Sequence, residues 1–135
     1  MEGKTRVWWE KLHDGKCPFC TYEKLGAKII FETIHFVFLD NRNSPTLHHS
    51  ILFPRHHIET EADIDRFAGN EYVHATEKAF EYLKEKTGVY PFVFINPPQQ
   101  QTATHFHKHF YPGVFNPKEV ESALRELYLK HGKKA

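Results

Sequence analysis

The stretch "THFHKHFYP", residues 104–112, sets His105, His107 and His109 two apart, with Phe106 and Lys108 between them and Phe110 and Tyr111 following. In an extended segment side chains alternate faces and rise about 3.3 Å per residue, so positions i, i+2 and i+4 share one face at intervals of roughly 6.5 Å. A helix would fan the same positions around its circumference, and Thr104, Phe106, Phe110 and Tyr111 favour a strand on propensity as well. The segment is therefore expected to be a strand with three imidazoles in a row on one face. A single strand histidine is usually hydrogen-bonded or at the surface. Three together are different, because each has a reference pKa near 6.5 and like charges so close repel. A chain that keeps them together holds a metal or handles an anion, and phosphate is the common anion for which imidazole is both nucleophile and proton carrier.

Upstream, "AKIIFE", "IHFVFLD" and "HSILFP" read as strands, the first two as a hairpin, and "YPFVFIN" as another before the histidine strand. From Glu61 to Lys86 the period changes: Ile64, Phe67, Ala68, Tyr72, Ala75, Ala79 and Leu83 recur at three and four, with Gly88 just past the end and Gly69-Asn70 an irregularity near the start. Asn116 can cap a last helix with Pro117 at its first position and Glu119 reaching back, Val120, Ala123, Leu124 and Leu127 facing inward, and Gly132 ending it. "TRVWWEKLH" fits a short amphipathic helix. The sum is an α+β domain: a mostly antiparallel five-stranded sheet with one long helix and a C-terminal helix.

With 135 residues, no repeat and no linker, residues 1–135 are expected to form one domain. Eighteen basic residues against 17 acidic ones leave no electrostatic footprint for long nucleic acid or an anionic membrane, so any nucleic-acid-like ligand should be small. No apolar run is long enough to span a bilayer, and "MEGKTRVWWEKLHDG" is too polar for a secretory signal, so the expected location is cytoplasmic.

Seven of the 11 histidines fall in two groups, four in "LHHSILFPRHHI" and three in residues 104–112. The two cysteines, Cys17 and Cys20 in "GKCPFCTY", have the gap that lets both thiolates reach one tetrahedral zinc. A buried or redox-active thiol pair is the plainer alternative. His56, His57, His105, His107 and His109 are candidate partners for a metal, and spacing does not choose among them. The turn "NPPQQQTAT" adds neutral donors, Asn96, Gln101, Thr102 and Thr104, suited to phosphate oxygens, though a polar loop needs no such role.

Residues 105–112 resemble the signature of the histidine triad (HIT) family, in which three histidines alternate with hydrophobic residues ahead of a proline. "CPFC" is similar to the zinc-binding start of many bacterial and archaeal members, "FVFLDNRNSPTLHHSILFPRHHI" to a strand-loop-strand stretch ending in Pro-basic-x-His, and residues 96–112 to the catalytic loop and strand. The resemblance covers roughly residues 17–112 and points to the zinc-containing branch that hydrolyses diadenosine polyphosphates. It implies that His107 is the nucleophile attacking the α-phosphorus of a nucleotide, giving a nucleotidyl-histidine intermediate, and that His109 binds the phosphate and helps protonate the leaving group. It implies a structural zinc on Cys17, Cys20, His57 and His105, ribose binding by Asp40, and phosphate-side roles for Asn96, Gln101 and Thr102, with His49 beside the catalytic strand.

The implied function is nucleotidyl transfer to water from a small nucleotide substrate. Phosphoramidate hydrolysis and phosphorolysis are the neighbouring alternatives, and a non-catalytic nucleotide-binding zinc module is the alternative of another class. A homodimer is implied as well, in keeping with the aromatics Phe31, Phe36, Phe38, Phe92 and Phe94, more than one small core needs. The chain departs from the pattern at Lys108, where the family has a hydrophobic residue, which predicts a less buried opposite face or a lysine snorkelling outward. Thr102 stands where serine is frequent, Gly113 where many members are basic, and Pro97, Pro98 and three glutamines where glycines are common, which bears on leaving-group recognition.

Overall fold

The computed structural model describes residues 17–41, 48–66, 68–95, 105–113 and 116–132. The short helix expected in "TRVWWEKLH" lies outside the described residues, as do Phe67, Asn96, Gln101, Thr102 and Thr104. Strands β1 (Ile29–Glu32), β2 (Phe36–Asp40), β3 (Ser50–Pro54), β4 (Phe92–Ile95) and β5 (Lys108–Tyr111) form one antiparallel sheet in the order β1-β2-β3-β5-β4. Helices α1 (Gly69–Thr87) and α2 (Pro117–His131) and the 3-10 helices Tyr22–Leu25 and Glu61–Arg66 complete the described elements. This is the expected α+β architecture. Among the described residues no helix is long and apolar enough to cross a membrane.

The central strands β2 and β3 are buried on both faces, which is why they read as continuous apolar runs rather than alternating ones. Phe36, Phe38, Leu52, Phe106 and Phe110 join Ala75, Ala79 and Leu83 of α1 in the larger core. On the opposite face Val37, Leu39, Ile51 and Phe53 pack with Tyr22 in a smaller one. Each fully buried Phe removes enough apolar surface from water to contribute about 2–3 kcal/mol.

The histidine stretch departs from its expected form. Pairing begins only at Lys108 (Leu52↔Lys108, Ile51↔His109, Ser50↔Phe110), so His105 and His107 precede β5. The cause lies in β3: Pro54 has no N–H to donate, and its carbonyl is taken by the His105 ring instead (Nε2 to O, 2.7 Å). The alternation survives without the ladder. Phe106 and Phe110 enter the α1-side core, while Phe19 and Phe53 touch His105 from the other side.

Lys108 corrects the expectation of an exposed face. It is buried, its Nζ donating to Tyr72 Oη at 2.7 Å and Thr76 Oγ1 at 3.5 Å, with Glu61 Oε2 at 3.8 Å and the Tyr72 ring 4.6 Å away. Neither a less buried strand nor an outward lysine results, because α1 and the 3-10 helix before it supply partners for the ammonium.

The helix expected over Glu61–Lys86 is two elements, a 3-10 helix ending at Arg66 and then α1 from Gly69; the break precedes Gly69-Asn70, and both of these residues are helical. Gly88, at φ 84°, ends α1 in the left-handed conformation and donates its N–H to Lys84 O at 2.7 Å. Asn116 caps α2 as expected, its side chain accepting from the Lys118 N–H at 2.9 Å. The inward face assigned to Val120, Ala123, Leu124 and Leu127 is not found: no described residue of α2 is buried, and Leu124 and Leu127 are 58% and 56% exposed. The helix has an amphipathic pattern, but no described element packs over it.

Glu71, in the first turn of α1, ties the helix to the β1–β2 turn: its carboxylate accepts from Thr33 Oγ1 at 2.5 Å, the His35 backbone N–H at 2.6 Å and His35 Nδ1 at 2.8 Å. Burial works to raise the Glu71 carboxyl, but the bonds from Thr33 and His35 together outweigh it and hold the group below its ordinary value. Glu71→Gln should lower stability by about 1–3 kcal/mol at neutral pH, read by urea unfolding. A carboxyl with a depressed folded-state pKa contributes stability that is complete above its unfolded value, about 4.3, and is lost as pH falls through the folded one. The gap between wild type and variant should therefore close on acidification below about pH 4.3; a gap that persists unchanged in acid would contradict the anchoring role.

Candidate functional site

The site is assembled from three segments. Cys17 and Cys20 sit in a turn closed by Thr21, whose N–H and Oγ1 both donate to Cys17 O, at 3.2 and 2.9 Å. His57 follows β3, and the segment carrying it is held to the histidine stretch by the Phe106 N–H donating to Ile58 O at 2.6 Å. His105, fully buried, is aimed by its own bond to Pro54 O.

These bring four ligand atoms together. Cys17 Sγ lies 3.4 Å from His105 Nδ1, and Cys20 Sγ lies 3.2 Å from His57 Nδ1 and 3.5 Å from His105 Nδ1. All four ligand atoms fall within 4.8 Å of one another. A tetrahedral zinc, with bonds of about 2.3 Å to sulfur and 2.0–2.1 Å to nitrogen, would separate S from N by about 3.6 Å. The residues fit such an ion. A carbonyl only accepts, so the Pro54 oxygen requires the proton on His105 Nε2 and leaves Nδ1 with its lone pair toward the sulfurs, the arrangement a metal ligand needs. Zinc bound here would have four protein ligands and no open position, so it would supply structure rather than Lewis-acid chemistry.

His107 is placed differently. Its Nδ1 lies 2.8 Å from His105 O, so Nδ1 carries the proton and Nε2 keeps the lone pair. Phe19, between the two cysteines, stacks on the His107 ring at 4.6 Å and 25°. Burial lowers the His107 pKa, only partly offset by the bond to the His105 carbonyl. His109 meets His107 edge-on at 4.8 Å, and its Nδ1 lies 2.8 Å from His49 Nε2. Burial first, then the proximity of His107 and His49, push His109 down to about 4. His49 is itself buried and stacks on Tyr111 at 4.1 Å. Its pKa is lowered by burial, which the nearby Asp40 opposes and His107 reinforces. The imidazoles of this cluster are thus kept neutral near pH 7, and the site offers an unprotonated nitrogen beside other neutral rings.

Of the residues singled out from sequence, Cys17, Cys20, His57 and His105 converge in one cluster and His107, His109 and His49 in another beside it. Asp40 ends β2 opposite Ser50, next to His49 in the strand pairing. Asn96, Gln101 and Thr102 lie outside the described residues. Phe19, Asn41 and Tyr111 were not singled out. Phe19 carried a signal in its position between two candidate ligands; Asn41 and Tyr111 carried none apart from their neighbours.

The fold is that of the histidine triad proteins. A histidine triad protein from Clostridium difficile is 20% identical, with a TM-score of 0.61 over 76% of this chain and 95% of its own. A HIT family hydrolase from Clostridium thermocellum is 22% identical, with a TM-score of 0.58 over 76% of this chain and 96% of its own. A histidine triad nucleotide-binding protein from Candida albicans is 17% identical, with a TM-score of 0.56 over 89% of this chain and 100% of its own. No protein-family model and no curated protein matches the chain.

The four-residue cluster generates a direct expectation. Replacing Cys20 by Ala should abolish stoichiometric metal in protein purified without chelator and lower the melting temperature, because the free energy of binding a structural ion is part of the free energy of folding. Elemental analysis beside a thermal melt checks it; a variant with the wild-type zinc content would exclude this ligand set.

Proposed function

We propose that the chain is a histidine triad enzyme of one domain, a nucleotide hydrolase or nucleotidyltransferase that acts at the α-phosphate of a small nucleotide through a nucleotidyl-histidine intermediate. The observation that carries this reading is the His107 tautomer: with Nδ1 donating to His105 O, Nε2 is a neutral lone-pair nitrogen. His107 Nε2 attacks the α-phosphorus, the bond to the leaving oxygen breaks, and that oxygen, hydrogen-bonded by the neutral His109, leaves with its electron pair and takes a proton from solvent. Water then displaces His107, releasing the nucleotide and restoring the neutral ring. Holding attacker and phosphorus together turns a bimolecular encounter into an intramolecular one, and dividing the displacement in two lowers each barrier.

Asp40 would bind ribose hydroxyls, His49 would support the phosphate side, and Asn96, Gln101 and Thr102 would line the phosphates. Zinc on Cys17, Cys20, His57 and His105 would hold the N-terminal turn to the catalytic segment. The names of the hydrolase and nucleotide-binding neighbours agree with such a substrate. A diadenosine polyphosphate is the favoured substrate, with nucleoside phosphoramidates and phosphorolysis as variants of the same chemistry at the leaving group or acceptor. The setting would be the cytoplasm.

A homodimer belongs to this reading. Strand β4 lies at a sheet edge and exposes Phe92, Phe94 and Ile95, and α2 exposes Leu124, Leu127, Tyr128 and Leu129. Light scattering at micromolar concentration should report twice the chain mass; a monomer would remove this part of the proposal.

A substrate panel with identified products tests the activity. His107→Ala should abolish turnover in a folded protein that still binds nucleotide, and no acid-labile nucleotidyl adduct should be trapped. His109→Ala should slow turnover by roughly 10² to 10⁴, most for poor leaving groups. Wild-type turnover in His107→Ala would refute the nucleophile assignment.

A further inference from the structure

Asn41 sits beside the site, next to His49. It follows β2 and extends the β2–β3 pairing by one step, its backbone N–H donating to His49 O at 2.8 Å. The same residue approaches the His49 ring: Asn41 Nδ2 lies 3.3 Å from His49 Nδ1. His49 Nε2 in turn lies 2.8 Å from His109 Nδ1. Two side-chain contacts thus form a line from Asn41 through His49 to His109.

The direction of this line follows from donor chemistry. An amide NH₂ only donates, so His49 Nδ1 must accept, and a neutral His49 must carry its proton on Nε2. That N–H donates to His109, so His109 Nδ1 accepts and its proton sits on Nε2. We propose that Asn41 is a positioning residue which, through His49, fixes His109 as the Nε2–H tautomer and makes the nitrogen not engaged by His49 a hydrogen-bond donor to the substrate phosphate. The second triad member is thereby opposite to the first: His107 keeps its proton on Nδ1 and its lone pair on Nε2. Two neighbouring imidazoles of one segment are set as attacker and donor by what each binds at Nδ1, a backbone carbonyl in one case and a neutral histidine in the other.

The packing supports a fixed orientation. His49 is buried, its ring stacked on Tyr111 at 4.1 Å and 14° and meeting the His109 ring at 5.0 Å and 29° through the bond between their nitrogens. His109 also lies 5.9 Å from the Tyr111 ring. Burial disfavours the charged forms of both histidines, which keeps a single proton on each and gives the relay a direction. The inference rests on the proposed function for its purpose, but the tautomers exist whether or not the chain turns over nucleotide.

The test is histidine tautomer assignment by long-range ¹H–¹⁵N correlation on the full, zinc-loaded, ¹⁵N-histidine-labelled chain at neutral pH, with His49→Gln and His109→Gln used to assign signals. Wild type should show His109 and His49 protonated at Nε2, with pyridine-type Nδ1 shifts, and His107 the reverse. Asn41→Asp replaces the donor by a carboxylate that only accepts, so His49 Nδ1 should gain a proton and its shift move to the pyrrole type. Wild-type His109 protonated at Nδ1 would overturn the inference, as would a His49 Nδ1 that stays pyridine-type in folded Asn41→Asp. If Asn41→Asp does not fold, the wild-type pattern alone decides. Expected tautomers without turnover of any nucleotide would refute the functional reading and leave the relay standing; turnover with the opposite tautomer would do the reverse.

Discussion

The bond from His105 Nε2 to Pro54 O is the constraint on which the rest of the site depends. It closes the gap where β3 can no longer pair with the histidine stretch, and it does so with a side chain because Pro54 has no N–H. The choice of acceptor leaves His105 Nδ1 facing the cysteines, and the His105 carbonyl accepts from His107 Nδ1. One residue therefore ends a strand pairing, joins the cluster of Cys17, Cys20 and His57, which could hold a metal, and sets the tautomer of its neighbour. Few substitutions at His105 could satisfy all three demands, since a ring nitrogen at each end is needed for the first two.

The opposite face of the same stretch provides the counterforce. Phe106 and Phe110 are buried against α1, and Lys108 between them carries an ammonium into that core. Desolvation lowers the Lys108 pKa, with Glu61 opposing. Tyr72 Oη also donates to Glu61, and burial together with Glu61 raises the Tyr72 pKa far above its ordinary value. Breaking such a network by removing one partner strands a buried charge, whereas replacing all of it with apolar groups often costs nothing. Its contribution is therefore better understood as orientation: an ammonium with partners on two helical elements holds the strand in one register, with His107 and His109 directed to the other face.

Much of this was legible in the sequence, for identifiable reasons. Alternation is a property of any extended backbone, so His105, His107 and His109 share a side although only His109 lies in a strand. The Cys-x-x-Cys spacing is a local pattern that marks half of a metal site, whereas the choice of His57 and His105 as its partners came from the resemblance to the histidine triad family and not from spacing. What failed depended on distant partners. Periodicity assigns α2 an apolar face but does not say whether anything covers it, and none of its described residues is buried. Lys108 appeared misplaced because Glu61, Tyr72 and Thr76 are 32 or more positions away in the chain. Asn41 escaped notice because its role comes from the pairing of β2 with β3, not from its own neighbourhood.

Phe19 shows how structure passes into chemistry without shared atoms. It lies between two cysteines whose positions an ion in the cluster would fix, and its ring packs on Phe53 at 4.9 Å and on His107 at 4.6 Å. The His107 ring is then bounded on one face by Phe19 and approached edge-on by His109, while its Nδ1 is tied to the backbone. A ring confined in this way loses little further freedom when its Nε2 engages a ligand, which lowers the entropic cost of that contact. Cys17, Cys20, His57 and His105 are thus coupled to the His107 ring without sharing an atom with it, because Phe19, between the two cysteines, covers one face of that ring.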